Sequence, residues 1–188
     1  MDALTLLQKR NSAPKLTEPG PTPDEINTLI RAALRAPDHA RLRPWRFLLI
    51  EGQARHHLGD VFARALQRRN PEAGEADLDK ARSKALRAPL IIAVVTVYTE
   101  HPKVPLLEQQ LSAGCAAHSI LLAAEALGYA GIWRTGANAF DPKVLAELNL
   151  AENETLVGYL YIGSRDGRAK PLPNYDSADF VSYWQADE

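Results

Sequence analysis

Four clusters of cationic and polar side chains stand apart along the chain: Arg10-Asn11-Ser12, Arg35 with His39, Trp133-Arg134-Thr135-Gly136, and the late group Arg165, Arg168 and Lys170. An arginine beside a hydroxyl suits a phosphate monoester, because the guanidinium offers a bidentate fork and the hydroxyl a further donor. The same residues also make an ordinary solvated basic surface, and Arg35 alone reads as a cation complementing a helix C-terminus. The densest stretch is RAPDHARLRPWRFLLIEG, Arg35 to Gly52, where four arginines, a histidine and two prolines precede the apolar run Phe47–Ile50.

Other chemistry lacks its motif. There is no GxGxxG after a strand, no GxxxxGK[ST], no HExxH, no GxSxG elbow and no paired-cysteine metal site, so no metal is expected. With 22 basic against 23 acidic residues, the chain is not a general binder of polyanions, and any anion site must be local. The 188 residues, 46% apolar and 24% charged, suit one globular domain. One cysteine, Cys115, rules out an internal disulfide framework and fits a reducing cytoplasm. The start, MDALTLLQKR, carries an acid where a signal peptide carries positive charge, and no apolar run reaches the roughly 20 residues of a membrane span.

The elements that must position these clusters are marked by their ends. TPDEINTLIRAALRAP reads as a helix with Thr22 as N-cap, Pro23 at N1 and Glu25 closing a capping box. Its buried stripe is Ile26, Leu29, Ile30, Ala33 and Leu34. Pro37 ends it, with Arg35 in the last turn and His39 just beyond. A strand at Trp45–Ile50, a helix over 54–69 and a polar excursion turning helical over 75–86 follow. Leu90–Tyr98 is continuously apolar and β-branched, as in a strand buried on both faces. A helix from Pro105 to Gly128 comes next; its second half is apolar almost all round and rich in small residues, with Cys115 and His118 read as core fillers. One way to bury such a helix in so short a chain is against a second copy. A strand ending near Gly136, a helix started by Asp141 and Pro142, and a strand over 154–163 complete the body. Residues 164–188 form a polar tail whose Phe180, Tyr183 and Trp184 need a surface to pack on.

The R-x-S segment after an N-terminal helix, the loop RAPDHARLRPWRFLLI, the helix ending LLAAEALGYAGIWRTG and the strand LVGYLYIGS together resemble the FMN-dependent nitroreductase family, over Ala3 to about Gly163. The likeness is to its short NAD(P)H nitroreductases. It implies an α+β fold with a central, mainly antiparallel sheet flanked by helices, a single nitroreductase-like domain over 1–188, and an intertwined homodimer in which the tail 164–188 packs on the partner subunit. It implies FMN bound between subunits. Arg10, Asn11 and Ser12 take the phosphate and ribityl end, Arg35 and His39 reach the cofactor, His39 serving the flavin of the other chain, and Trp133, Arg134, Thr135 and Gly136 border the ring. NAD(P) would contact Ala123, Ala124, Glu125, Ala126, Leu127 and Gly128, residues that helix packing explains as well.

By the same resemblance, hydride passes from NAD(P)H to flavin N5 and then to a nitroaromatic, quinone or similar acceptor by a ping-pong mechanism, with no side chain acting as acid or base. One departure stands out. Where larger members have a lysine facing flavin N1 and O2, this chain has Pro14, followed by Lys15, so Arg35 or Lys15 is expected to supply that charge. The competing readings are a flavin-binding sensor or storage protein of the same fold and a phosphate-binding module without redox chemistry.

Overall fold

The computed structural model describes residues 2–184. Helix α1 (Ala3–Lys9) leads to a two-residue strand β1 (Leu16–Thr17) and helix α2 (Pro23–Ala33). Strand β2 (Trp45–Glu51), helices α3 (Gln53–Arg69) and α4 (Glu75–Ser83) and strand β3 (Leu90–Val97) follow. Then come helix α5 (Leu106–Ala126), strand β4 (Ala130–Arg134), helix α6 (Pro142–Glu147) and strand β5 (Glu154–Arg165).

The sheet is antiparallel throughout. β5 pairs with β3 along one edge and with β4 along the other, β2 flanks β3, and β1 joins the C-terminal end of β5. Because side chains alternate along a strand, the apolar run of β3 feeds two cores. Leu90, Ile92 and Val94 pack with Leu29, Trp45, Ile120 and Leu160 beneath α2 and α5. Ile91, Ala93 and Val95 pack on the other face with Leu58, Phe62, Tyr159 and Tyr161 beneath α3. The domain is therefore helix, sheet, helix in three layers.

The start of α2 is as its sequence reads: Thr22 Oγ1 accepts from Glu25 N–H, and the Glu25 carboxylate accepts from Thr22 N–H at 2.8 Å. Glu25 also accepts from the Tyr129 hydroxyl at 2.9 Å, tying α2 to the approach of β4. The helix closes earlier than Pro37 requires, with Leu34 as C-cap, so Arg35 lies one residue outside it rather than in its last turn. Beyond it the chain makes a tight 3-10 turn at His39–Arg41. Ala40, Arg41 and Arg43 have φ of 59°, 56° and 50°, and the Asp38 carboxylate holds this basic loop by accepting from Leu42 N–H (3.0 Å) and Arg43 N–H (2.9 Å).

One expectation about α5 is corrected. Ala113, Ala116, Ala117, Ile120 and Ala124 are buried, but Leu107 and Leu111 are exposed, and so are Cys115 and His118, which do not fill the core. The helix packs on the sheet and α2 from one side, and among the described residues nothing covers the face that carries Leu107, Leu111, Cys115 and His118. The tail past β5 is exposed from Asp166 to Trp184; residues 185–188, the last of the tail, lie outside the described residues.

An ion pair joins β2 and β5, the two strands that flank β3. Arg46 on β2 donates to Glu154 at the start of β5 through Nε and Nη2, both at 2.6 Å, and Ala151 N–H donates to the same carboxylate at 2.9 Å. The Glu154 side chain is 8% exposed and that of Arg46 33%. The guanidinium holds the Glu154 carboxyl below its ordinary value of 4.5. A carboxyl depressed on folding stabilises the protein fully above its unfolded pKa, and that contribution is lost as pH falls through the folded value. Glu154→Gln should therefore flatten the fall in stability below about pH 4.5 in denaturant titrations. At pH 7 the same change should cost about 1 to 3 kcal/mol, between the values for exposed and fully buried pairs.

Candidate functional site

The Arg10–Ser12 segment follows directly from α1, whose last carbonyls are satisfied in part by Arg10 N–H donating to Leu6 O at 3.0 Å. It is then pinned along β4 and the end of β5. Ala13 N–H donates to Gly131 O at 3.1 Å, Arg165 Nη2 donates to Asn11 O at 3.1 Å, and Asn11 Nδ2 donates to Lys170 O at 2.6 Å. The Arg165 guanidinium and the backbone of Lys170 thus return to the R-x-S segment, which their spacing in the sequence does not reveal. Among the described residues the Arg10 side chain has no ion-pair or hydrogen-bond partner.

The other end of β4 opens onto a cavity of 410 Å³. Trp133, Arg134, Thr135 and Gly136 line it, joined by Arg69 from the end of α3, Lys84 and Arg87 from the turn before β3, and Tyr159 and Tyr161 from β5. Gly136 has φ of 68°, a conformation that favours glycine, and a Cβ there would meet nothing within 4 Å, so its backbone faces open space. Trp133 to Gly136 lie two to five residues along the chain from Gly131. At about 3.3 Å per residue, the cavity therefore begins roughly 7 to 16 Å from the Arg10–Ser12 segment.

Of the four cations only Arg134 belongs to a cluster visible in the sequence; Arg69, Lys84 and Arg87 join it through the fold. The four are separated by as many as 65 residues and meet only because β4 pairs with β5 and α4 runs into β3. The cavity's electrostatics are one-sided: among the described residues no carboxylate lines it. Arg69 is neutralised from behind by Asp141, 2.5 Å away, and also donates to Asn138 Oδ1 at 2.7 Å. Lys84, Arg87 and Arg134 have no carboxylate partner among the described residues. The Arg134 guanidinium stands 5.9 Å from the centre of the Tyr161 ring, and its buried Nε has no hydrogen-bond partner. Burial pushes the Tyr161 hydroxyl up to about 12 against the pull of Arg134 and Arg87, and pushes Tyr159 up as well. Both are neutral O–H donors at neutral pH.

Trp133 is seated by an irregularity in the sheet. Between Val94 and Val95 of β3 the register on β5 jumps from Gly158 to Leu156, leaving Val157 as the extra residue of a β-bulge. Trp133 Nε1 donates to the Val157 carbonyl at 3.3 Å and lies over Gly158, which has no side chain to block it. The indole is then a partition: it lines the basic cavity on one side and, on the other, an apolar groove along α5 with Leu107, Leu111, Cys115 and Phe140.

Arg35 and His39 do not line the basic cavity of their own subunit. His39 Nδ1 is 2.8 Å from the Glu108 carboxylate near the start of α5, and Ser112 Oγ donates to Pro37 O, so the loop is docked on that helix. Lys15 does not line the cavity either. Of Ala123 to Gly128, Ala124 is buried in the core, Glu125 lies 3.9 Å from Arg165, and Ala126, Leu127 and Gly128 are exposed where α5 ends.

A planar, singly anionic ring end fits this donor set of cations, neutral tyrosine hydroxyls, an unpartnered arginine Nε and open backbone at Gly136. This arrangement, on this sheet, defines a class. The nitroreductase family model matches residues 7–164, and the chain belongs to that family of oxidoreductases. It is 43% identical over 187 residues to "Putative NAD(P)H nitroreductase YdjA" of Escherichia coli (strain K12), covering 98% of this chain and 100% of that protein. With a protein of Haemophilus influenzae named "Putative NAD(P)H nitroreductase" it shares 36% over 185 residues, covering 97% and 100%. Among solved structures, a nitroreductase-like family protein from Bacillus cereus superimposes with a TM-score of 0.82 at 19% identity, covering 99% of this chain and 97% of the other. NADPH:FMN oxidoreductase from Vibrio harveyi, solved with NAD+, does so with 0.75 at 20% identity, covering 98% and 78%. Among the described residues no helix is long and apolar enough to cross a membrane, and no group of His, Cys, Asp and Glu side chains is arranged to hold a metal.

Proposed function

We propose that this chain is an FMN-dependent NAD(P)H oxidoreductase that reduces nitroaromatic, quinone or similar acceptors by a ping-pong mechanism. The observation that carries the reading is the cation-lined, tyrosine-walled cavity bounded by Trp133–Gly136, one short strand away from the Arg10–Ser12 segment. When bound, FMN supplies the redox chemistry at its N5, taking a hydride from NAD(P)H and returning two electrons to an acceptor. Arg10, Asn11 and Ser12 hold the phosphate and ribityl end, and Trp133, Arg134, Thr135 and Gly136 border the ring. Lys84 and Arg87 are better placed than Arg35 or Lys15 to supply the charge missing at Pro14, because they line the cavity of the same subunit. Arg35 and His39 act on the FMN of a second copy, and Ala123 to Gly128 meet the nicotinamide dinucleotide. Solution in the cytoplasm suits this chemistry.

A homodimer belongs to the same reading. Leu107 and Leu111 on the outer side of α5, Phe140 across the groove from them, and Phe180, Tyr183 and Trp184 in the tail are exposed large apolar side chains that a second copy covers. Sedimentation at micromolar concentration should give a dimer, with a buried interface above about 2,000 Å². A monomer that retains FMN counts against it.

The test of function is spectroscopic and kinetic. The purified protein should be yellow, and NAD(P)H should bleach its visible band without air, which a storage or sensor protein would not require. With a quinone or nitroaromatic acceptor, initial-rate plots should be parallel lines, because Trp133–Gly136 and the loop of the other copy leave one stacking position. Intersecting lines would mean that both substrates occupy the site together.

A further inference from the structure

The geometry points to an anionic electron acceptor: the basic cavity selects aromatic acceptors that carry a carboxylate or sulfonate over neutral ones of the same shape. The inference rests on the redox reading above and adds the substrate class to it. Its ground is a surplus of charge. Four cationic side chains, Arg69, Lys84, Arg87 and Arg134, line 410 Å³ without one carboxylate among the lining residues. Asp141 accounts for Arg69, leaving Lys84, Arg87 and Arg134 without an acidic partner among the described residues.

A flavin ring brings at most one negative charge to this end, and its phosphate is assigned to Arg10–Ser12 at the other end of β4. Two cations therefore remain. Arg134 is the more telling of them, since its Nε is both buried and unpartnered, and a buried donor is ordinarily satisfied. Tyr161, held neutral, can donate alongside it to a carboxylate. A cleft lined by one sign of charge concentrates ligands of the other and loses that advantage in salt. Phe62 and Trp133 supply apolar wall for the ring that carries the anion.

With a nitro compound the balance is ArNO2 + NAD(P)H + H+ → ArNO + NAD(P)+ + H2O. Two electrons leave the nicotinamide, one nitrogen–oxygen bond breaks, and the oxygen departs as water with one proton from the hydride donor and one from solvent. The anionic group takes no part in the bond changes and serves to hold the ring.

The experiment uses the flavin-loaded protein and two probes that cannot turn over, benzoate and benzamide, titrated by calorimetry at low and high salt. Benzoate should bind at least about tenfold more tightly at low ionic strength, with the advantage shrinking as salt rises. With added FMN keeping each variant flavin-saturated, Arg87→Gln and Arg134→Gln should each reduce the ratio. In turnover, kcat/KM for 4-nitrobenzoate over 4-nitrobenzamide should exceed the same ratio measured with photoreduced free FMN by a similar factor. Equal affinities, or a preference untouched by both substitutions, overturn the inference. Loss of FMN from both variants overturns it too, since the cations would then serve the cofactor. Turnover of both compounds without anion preference removes this inference alone, whereas benzoate binding with no NAD(P)H-driven turnover removes the acceptor role and the redox reading together.

Discussion

Gly158→Ala is expected to destabilise the protein by about 2 to 5 kcal/mol, the sum of overpacking and of strain at a conformation nearly reserved for glycine. Gly158 has φ of +155°, and an added Cβ would collide with Trp133 Nε1, stand 2.8 Å from its Cδ1 and 3.1 Å from the Arg134 carbonyl oxygen. The indole cannot give way cheaply, because its Nε1 is hydrogen-bonded to Val157 O and the far side of its ring reaches toward Gly114 of α5. The melting midpoint should fall by on the order of 10 °C. Tryptophan emission should change as the partition between cavity and groove shifts. Trp133→Phe in the same chain, by removing the colliding edge, should recover part of the loss. A Gly158→Ala protein within about 0.5 kcal/mol of the parent would show that the bulge does not set the indole's position.

The second large effect concerns the cofactor rather than the fold. Arg10→Ala should weaken FMN binding by about 2 to 4 kcal/mol, roughly thirtyfold to a thousandfold in Kd, as removing one partner of a charge-assisted contact does in a desolvated site. Folding stability should hardly change, because the side chain has no ion-pair or hydrogen-bond partner among the described residues and the backbone N–H that ends α1 is retained. Arg168→Ala is the control: Arg168 is exposed in the tail, and its loss should change Kd less. Equal dissociation constants for the two variants, measured by fluorescence recovery of free FMN, would remove Arg10 from the phosphate site.

What the sequence discloses, and what it hides, follows from the distance over which each feature is determined. The α2 cap is local, spelled by Thr22, Pro23 and Glu25, and its hydrogen bonds are those the spelling requires. The central position of β3 is nearly local, since a β-branched run without alternation has to be covered twice. Strand β1 escaped notice because two residues carry no period, and it exists only as a supplement to the end of β5. The basic cavity is farthest from local. Its members come from α3, the turn before β3, β4 and β5, and pairing Arg134 with Tyr159 and Ile132 with Tyr161 is a matter of register. One signal was present: Tyr159 and Tyr161 stand two apart on a buried strand, so both polar tips must leave by the same face. The exposed outer side of α5 was legible as an excess of apolar residues, but not which part of the helix would be left uncovered.

The loop after α2 has a bearing on how two copies would meet. Its left-handed residues and the two N–H groups donating to the Asp38 carboxylate fix Arg41 and Arg43 on a backbone already bent, with His39 anchored to Glu108. Ordering a flexible loop at the moment of association subtracts from affinity. Here the bend is part of the folded subunit, so in the homodimer proposed above this loop would enter the encounter already shaped. The strain resides in the subunit itself, held there by the Asp38 carboxylate from within the loop and by Glu108 from α5, and little conformational entropy of the loop is left to remove.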